Sequence, residues 1–234
     1  MSNKEVALII GAGRGLGAAL AHRFGAAGMA VAVSARNAEN LETIARTRNA
    51  SAYVCDAAEE KSVDALFQKL GADLGIPRLV VYNASAFMPG GILEISPTDF
   101  ERAWRNTCLG GFHVGQRAAK AMLEGGNGGT ILFTGATASL RGSARFANLA
   151  VGKFGLRALA HTMARELGPR GIHVGHVIID GRIGGEEPSD QDEAETKDAQ
   201  LAPEAIADTY YRLYRQPKTG WSLELDLRPW VERF

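Results

Sequence analysis

The first stretch with a recognisable chemistry is a glycine-rich loop near the start of the chain. Residues 11–17 read GAGRGLG and lie between an apolar run, Val6–Ile10, and a helical pattern that begins at Leu16. Glycines let the backbone approach a pyrophosphate closely, and the following helix N-terminus supplies amide donors and a favourable dipole. A tight strand–helix turn is the alternative interpretation, but strand, loop and helix occur in the order that dinucleotide binding requires. The loop predicts a cofactor site that includes Gly11, Arg14, Gly15, Leu16 and Gly17.

The end of the second predicted strand indicates which dinucleotide is bound. An acidic residue there would hydrogen-bond the ribose hydroxyls and repel a 2′-phosphate. The sequence VSARN at residues 33–37 has no acid and carries Arg36, while Arg14 could reach the same phosphate from the glycine loop. Guanidinium groups pair well with phosphate, although the two arginines could instead be ordinary surface residues. The sequence therefore favours NADP(H).

Short apolar runs alternate with longer helical patterns along the whole chain. The predicted strands are Val6–Ile10, Ala30–Ser34, Ala52–Cys55, Leu79–Tyr82, Thr130–Thr134, His173–Ile179 and Leu223–Leu227. The predicted helices are Leu16–Ala27, Ala38–Arg46, Ser62–Leu74, Pro97–Leu123, Ala144–Leu167 and Pro203–Tyr214. This alternation predicts an α/β fold with a doubly wound, Rossmann-type parallel sheet and helices on both faces. A length of 234 residues fits one such domain, residues 1–234.

Composition excludes several classes of partner. Lysine plus arginine and aspartate plus glutamate are equal at 26 each, so no net charge attracts nucleic acid or an anionic membrane. We find neither a signal peptide nor an uncharged apolar run of ~20 residues. The two cysteines, Cys55 and Cys108, are too few for a disulfide framework and favour a reducing compartment. We expect a cytoplasmic protein without a metal site, because no HExxH motif or Cys/His cluster is present.

One polar segment interrupts the alternation. Residues 184–200, GGEEPSDQDEAETKDAQ, contain seven acidic residues and one lysine. A solvated, mobile loop is the simple interpretation. The segment also follows the carboxyl end of a predicted strand, where α/β sheets bind ligands, so it could serve as a lid. The two interpretations are compatible.

These features resemble the short-chain dehydrogenase/reductase family over nearly the whole chain. The family's glycine loop has the spacing of Gly11, Gly15 and Gly17, although its preceding threonine is Ile10 here. The resemblance implies that Asp56 and Ala57 after the third strand lie against the adenine. It also places Asn83 and Ala84 after the fourth strand at the cofactor, as a half match to the family's Asn-Asn-Ala-Gly.

The same resemblance implies a catalytic site that is incomplete in this chain. Lys153 matches the lysine of the family's Tyr-x-x-x-Lys motif, which also hydrogen-bonds the nicotinamide ribose. Leu149 stands where the tyrosine donates a proton, and Ala136 stands where a serine binds the substrate oxygen. A phenol has an unperturbed pKa of about 10 and needs a nearby cation to ionise near neutrality. Asn106 matches an asparagine that organises a proton relay, or it satisfies backbone groups at a helix kink.

Several hydroxyl groups are candidates to replace the missing ones. Thr137 adjoins the vacated serine position and is the best candidate for its hydrogen bond. Tyr82 ends the fourth strand and is a possible phenol donor, although an aromatic ring packed beneath a helix is the more common arrangement. His173 and His176 are three residues apart on a predicted strand, which directs them to opposite faces.

Two functions from different classes are compatible with these residues. The first is an NADP(H)-dependent oxidoreductase that acts on a small organic molecule with a non-standard proton path. The second is an NADP(H)-binding sensor or partner subunit without turnover. Because the family commonly forms dimers and tetramers, we expect a homo-oligomer. The apolar C-terminal segment 221–234 either closes a subunit interface or covers its own core.

Overall fold

The computed structural model describes residues 4–184 and 199–231. Most of the predicted lid-like loop, residues 184–200, therefore lies outside the described residues. Within the described ranges, no helix is both long and apolar enough to cross a membrane.

A seven-stranded parallel sheet forms the centre of the fold. The strands of the chain are β1 (Val6–Ile10), β2 (Ala30–Ala35), β3 (Ser51–Val54), β4 (Pro77–Tyr82), β5 (Gly129–Thr134), β6 (Ile172–Ile179), β7 (Arg182–Ile183), β8 (Gln200–Leu201) and β9 (Glu224–Leu227). The sheet has the order β3-β2-β1-β4-β5-β6-β9, while β7 and β8 form a separate parallel pair. The strand order reverses between β1 and β4, which is the topological switch point where such sheets bind ligands.

Helices cover both faces of the sheet and bury two apolar cores. They are α1 (Leu16–Ala26), α2 (Ala38–Arg48), α3 (Glu60–Asp73), α4 (Pro97–Trp104), α5 (Gly110–Glu124), α6 (Ala147–Leu167) and α7 (Pro203–Tyr214). Side chains of α3, α5 and α6 form one core with the sheet, and side chains of α1, α2 and α7 form the other. Because both faces are covered, the central strands are apolar at nearly every position, as parallel sheets require. The predicted doubly wound α/β fold is confirmed.

The strand register brings several chain segments to one edge of the sheet. Ile10, the last residue of β1, pairs with Ser34 of β2 and with Tyr82 of β4. Tyr82 in turn pairs with Phe133 of β5. The loops that follow these strands consequently leave the sheet at the same level and lie side by side.

Two predicted helices differ from the observed ones. The predicted helix Pro97–Leu123 is interrupted by a π-helical turn at Arg105–Leu109, which separates α4 from α5. The predicted helix Ala144–Leu167 begins only at Ala147, after a turn in which the Phe146 N–H donates to the Ser143 carbonyl at 3.1 Å. The apolar spacing of both segments is helical, and it does not reveal a π turn or a delayed start.

Candidate active site

Three adjoining cavities follow the carboxyl edge of the sheet. The first, of about 690 Å³, lies above β1, β5 and β6. The second, of about 710 Å³, lies above β2 and β3 and shares Gly11, Asn83 and Ser85 with the first. The third, of about 330 Å³, shares Phe87, Ala136, Leu149, Ile179 and Gly181 with the first. Together they form a continuous groove that crosses the topological switch point.

The glycine loop packs closely against the sheet and opens towards the first cavity. Gly11 has φ +85°, and a Cβ built on it would come within 2.5 Å of the Ala84 nitrogen. The Asn83 side-chain amide donates to the Gly11 carbonyl at 3.0 Å. By contrast, a Cβ at Gly13 or Gly15 would meet nothing within 4 Å. The loop therefore has a fixed inner side and an open outer side that a ligand could approach.

Every residue predicted to bind the cofactor lines one of the first two cavities. Those lining the first cavity are Gly11, Arg14, Gly15, Leu16, Gly17, Asn83 and Lys153. Those lining the second are Gly11, Arg36, Asp56, Ala57, Asn83 and Ala84. Arg14 and Arg36 are both exposed but belong to different cavities, so each approaches the groove from its own side.

The side chain of Asp56 is held in place at the second cavity. Its carboxylate accepts from the Ala58 N–H at 3.0 Å, and its own N–H donates to Ser62 Oγ at 3.1 Å. The turn after β3 is thus ordered by its own side chains before any ligand binds.

Lys153 is the buried cation of the first cavity. Lys153 is only 3% exposed, and its Nζ donates to the Thr134 carbonyl at 2.7 Å. Burial lowers the pKa of Lys153 to about 8. Leu149, one helical turn earlier on α6, and Ala136, just after β5, line the same cavity. The lysine is therefore surrounded at these two positions by side chains that cannot donate a hydrogen bond.

Asn106 and Tyr82 meet at the π turn between α4 and α5. Tyr82 is fully buried, and its hydroxyl donates to the Asn106 carbonyl at 2.6 Å. Burial raises the pKa of Tyr82 far above its usual range. Tyr82 thus packs beneath the helix and is not a proton donor to the groove, whereas Asn106 lines the second cavity.

Comparison with known protein families accounts for this arrangement. The family model of the short chain dehydrogenases matches residues 5–181, which include the glycine loop, Lys153 and the first six strands. The chain belongs to the short-chain dehydrogenase family. This family consists of oxidoreductases that use NAD(P)(H).

Individual members of the family resemble the chain over most of its length. The 3-oxoacyl-(acyl-carrier-protein) reductase of Pseudomonas aeruginosa is 31% identical over 201 residues, covering 81% of this chain and 80% of that protein. A short-chain dehydrogenase from Rhodopseudomonas palustris has 36% identity and a TM-score of 0.82, covering 97% and 99% of the two chains. A metagenomic short-chain oxidoreductase in complex with NADP has 25% identity and a TM-score of 0.83, covering 99% and 100%.

Thr137 of this short-chain dehydrogenase does not lie where its place next to Ala136 in the sequence suggested. It lines the third cavity and not the first, and its hydroxyl donates to the Asp180 carboxylate at 2.5 Å. An Arg228 nitrogen lies 3.6 Å from the same carboxylate. Because a carboxylate is a stronger acceptor than a neutral oxygen, the Thr137 proton is committed to Asp180. In this arrangement Thr137 does not supply the hydrogen bond of the missing serine.

A partly buried polar network beneath the first cavity was not predicted. Glu224 of β9 accepts two hydrogen bonds from Arg157, both at 2.7 Å, and lies 3.1 Å from His161 Nε2 and 3.0 Å from His176 Nδ1. The other nitrogen of His176, Nε2, lies 3.4 Å from Ser139 Oγ. We call these five residues the Glu224 network.

The electrostatics of the Glu224 network favour a neutral histidine and an ionised glutamate. The hydrogen bonds from Arg157 are the main cause that lowers the pKa of Glu224 to about 2. Burial lowers the pKa of His176 to about 4. With Nδ1–H donating to Glu224, Nε2 of His176 can accept from Ser139. Ser139 Oγ in turn accepts from the Ala136 N–H at 3.1 Å, so the network supports the wall of the first cavity.

The two histidines of β6 have separate neighbours. His173 stacks on Trp221 with ring centroids 5.0 Å apart, while His176 belongs to the Glu224 network. No group of three or more His, Cys, Asp or Glu side chains in residues 4–184 and 199–231 is arranged to hold a metal ion. Both Cys55 and Cys108 are free thiols.

Proposed function

We propose that this short-chain dehydrogenase is an NADP(H)-dependent oxidoreductase that transfers hydride without a side-chain proton donor. The observation that carries the proposal is the composition of the first cavity. It combines the glycine loop and buried Lys153 with the apolar Leu149 and Ala136. The lining suited to the cofactor is present, and the groups that would protonate and bind a carbonyl oxygen are replaced.

The preference for NADP(H) is supported by charge at the second cavity. Arg36 and Asn37 follow β2 where an acidic residue would favour NAD(H), and Arg14 adds a second cation in the glycine loop. The structurally similar metagenomic oxidoreductase is itself in complex with NADP. An exposed guanidinium group on each side of the groove suits a 2′-phosphate.

The residues of the first cavity have a limited set of tasks in this mechanism. A bound nicotinamide cofactor supplies the hydride. Lys153 Nζ, which donates to the Thr134 carbonyl, would also hydrogen-bond the ribose of a bound cofactor. Leu149, Ala136 and Ile179 give the substrate an apolar wall at the place where it would accept the hydride.

The absence of an acid restricts the substrate. A positioned general acid is worth ~10²–10⁴ in rate, and an oxyanion donor roughly 10²–10³. Quinones and activated alkenes need these groups least, because hydride addition gives a delocalised anion that takes its proton from water. We therefore propose a substrate of this kind and not an ordinary ketone.

An NADP(H)-binding sensor or partner subunit is the alternative. The replacement of both hydrogen-bonding groups at Leu149 and Ala136 favours it, because binding of the cofactor requires neither. The two functions share the cofactor and differ in turnover.

A thermal-shift titration tests the cofactor. We expect NADPH to raise the melting temperature more than NADH, since a ligand that binds only the folded state stabilises it by about 2.7 kcal/mol at a hundredfold excess over Kd. Arg14→Ala and Arg36→Ala should reduce the NADPH shift, whereas Arg46→Ala, at an exposed position on α2, should leave it unchanged. Equal shifts with both dinucleotides would contradict the preference for NADP(H).

Turnover is tested separately by following NADPH oxidation with a naphthoquinone and with an unactivated ketone. The oxidoreductase proposal predicts oxidation that depends on the quinone, is slow with the ketone and is lost in Lys153→Ala. NADPH binding without oxidation by any activated acceptor would favour the sensor.

We also propose that the chain forms a homo-oligomer, a dimer or tetramer, through α5 and α6. Exposed apolar side chains project from both helices, among them Phe112 of α5 and Phe154 of α6. Exposed apolar surface of this kind marks interfaces, and a two-fold axis brings the same surface of two copies together. The double variant Phe112→Glu/Phe154→Glu should be monomeric in light scattering coupled to gel filtration. A monomeric unsubstituted protein would contradict the proposal.

A further inference from the structure

We propose that the third cavity binds a flat apolar substrate that carries an anionic group, and that Arg141 is the residue that recognises the anion. The inference rests on the proposed oxidoreductase function and adds to it the chemical class of the substrate. It assigns the reacting part of the substrate to the junction with the first cavity and the anionic group to Arg141.

Two aromatic rings form one wall of the third cavity. The ring centroids of Phe87 and Phe146 are 5.8 Å apart, with the planes inclined at 46°. Phe87 remains 66% exposed, so much of its ring is available to a ligand. Aromatic side chains bind flat conjugated rings by stacking or edge-to-face contact.

Hydrogen bonds hold this aromatic wall in position. The Gly90 N–H donates to the Arg145 carbonyl at 2.8 Å, and the Asn148 side-chain amide donates to the Met88 carbonyl at 3.0 Å. These bonds join the loop after β4 to the segment before α6 and to the first turn of α6. The two phenylalanines therefore belong to a preformed site, as is usual for small-molecule pockets.

The junction between the third and first cavities is apolar. Ala136, Leu149 and Ile179 line both cavities and have no side-chain hydrogen-bonding group. A substrate that placed a strongly polar atom against these residues would lose hydrogen bonds to water without replacement, at a cost of about 1–3 kcal/mol per group. The part of the substrate that lies here is thus a carbon framework.

Arg141 gives the third cavity its charge. Among the described residues that line the cavity, Arg141 is the only charged one. Arg145, in the same segment, is instead within 3.5 Å of Glu94. The nearby Asp180 carboxylate already accepts from Thr137 and faces Arg228. A ligand in the cavity consequently meets one positive charge, which suits a carboxylate or sulfonate.

Backbone hydrogen bonds fix the turn that carries Arg141. The Arg141 N–H donates to the Thr137 carbonyl at 3.2 Å, and the Leu140 N–H donates to the same carbonyl at 3.0 Å. The turn places Arg141 at the third cavity, and Arg141 does not line the first cavity, where Lys153 lies. A volume of about 330 Å³ accommodates a compact one- or two-ring molecule.

The test compares two ligands that differ in charge and not in shape. Binding of 2-naphthoate and of 2-naphthamide to the full chain would be measured by isothermal titration calorimetry at low salt, with and without NADPH. We expect 2-naphthoate to bind about tenfold more tightly than 2-naphthamide, and the difference to shrink at high salt. Equal affinities, or no binding of either molecule, would overturn the proposal.

Substitutions then assign the preference to one residue. Arg141→Gln should bring the two affinities together by weakening 2-naphthoate alone, Arg141→Lys should keep part of the preference, and Arg46→Gln should have no effect. Phe146→Ala should weaken both ligands equally. A preference for 2-naphthoate that persists in Arg141→Gln would overturn the role of Arg141.

This experiment separates the inference from the function on which it rests. It needs no turnover, so a protein that prefers 2-naphthoate but oxidises no NADPH would retain the anion site and lose the oxidoreductase proposal. A protein that oxidises NADPH with a neutral and an anionic quinone at equal kcat/KM, and binds both naphthalenes equally, would retain the function and lose the site.

Discussion

Nδ1 of His176 lies 3.0 Å from the Glu224 carboxylate, so a buried histidine on β6 is joined directly to the strand that closes the sheet. The same carboxylate accepts two hydrogen bonds from Arg157 of α6. One ionised side chain thereby connects a helix and two strands. Through His176 and Ser139 its hydrogen bonds reach Ala136 in the wall of the first cavity.

Stability should therefore fall as the pH falls, in two overlapping ranges. Burial lowers the pKa of His176 from 6.5 to about 4, so the unfolded chain binds this proton more readily and stability decreases as the pH falls through that range. The pKa of Glu224 is lowered from 4.5 to about 2, so its stabilisation is complete above pH 4.5 and is lost towards pH 2. Urea unfolding at a series of pH values would measure the loss of stability linked to His176 and the loss linked to Glu224.

Glu224→Gln isolates the contribution of the carboxylate. We expect the variant to lose about 1–3 kcal/mol of unfolding free energy at pH 7, because Arg157 would lose its charged partner in a partly exposed pair. The pH dependence below 4.5 should also become shallower. Glu166→Gln, at an exposed position of α6, is the matched control. Equal stability of both variants at pH 7 would refute the importance of the network.

Lys153→Met should make the protein more stable and less able to bind the cofactor. Burial lowers the Lys153 pKa from 10.5 to about 8, so below pH 8 the folded state carries the cost of a buried cation. Wild-type stability should rise with pH between 8 and 10.5, where only the unfolded chain holds the proton. Methionine removes that cost, so we expect the free energy of unfolding to increase by roughly 1–3 kcal/mol near pH 7.

Unfolding curves and NADPH titrations on the same Lys153→Met samples check this prediction. Loss of stability together with loss of binding would mean that the hydrogen bond to the Thr134 carbonyl matters more than desolvation. A gain in stability with unchanged NADPH binding would contradict the role of Lys153 at the cofactor.

The double substitution Ala136→Ser/Leu149→Tyr should create ordinary carbonyl reduction. Leu149 lies one helical turn before Lys153 and both line the first cavity, so a tyrosine there would lie beside the cation that lowers its pKa. We expect a rise of ~10²–10⁴ in kcat/KM for an unactivated ketone with NADPH. Leu149→Phe in place of Leu149→Tyr supplies the ring without the hydroxyl. If both aromatic variants are equally active, the missing acid does not limit the reaction.

Two glycines of the cofactor loop should respond differently to alanine. Gly11→Ala places a Cβ 2.5 Å from the Ala84 nitrogen at φ +85°, so we expect a loss of about 2–4 kcal/mol in stability. Gly13→Ala meets nothing within 4 Å, and we expect nearly unchanged stability with weaker NADPH binding. Melting temperatures with and without NADPH distinguish these effects. An equally stable Gly11→Ala variant would contradict the close packing.

Local sequence pattern was sufficient to predict the sheet and to identify residues that line two of its cavities, whereas their binding of a cofactor stays a prediction. The glycine loop, Arg36 and Asp56 each follow a strand that alternating sequence patterns identify, and parallel strands bring such positions to one edge. The interpretation of Leu149 and Ala136 as replacements for the family's tyrosine and serine depends on spacing from Lys153 alone, and it stays a prediction.

What could not be predicted depends on partners that are distant in sequence. Arg157 and Glu224 are separated by 67 residues, and no periodicity relates a helix residue to a closing strand. Thr137 was the best local candidate for the serine's role, but its hydroxyl donates to Asp180, 43 residues away. A hydroxyl group donates to the strongest acceptor that is near it in the folded protein. The order of residues along the chain does not show which acceptor that is.

The short pairing of β7 with β8 sets the entry and exit of the segment between them. Arg182 lies opposite Gln200, Ile183 lies opposite Leu201, and the Gly184 N–H donates to the Leu201 carbonyl at 2.9 Å. The chain therefore leaves the sheet and returns to it at neighbouring points. An insertion or deletion between such points costs little closure entropy. Relatives could therefore carry segments of different length between β7 and β8 while the sheet stays unchanged. Such differences in length would alter what enters the groove.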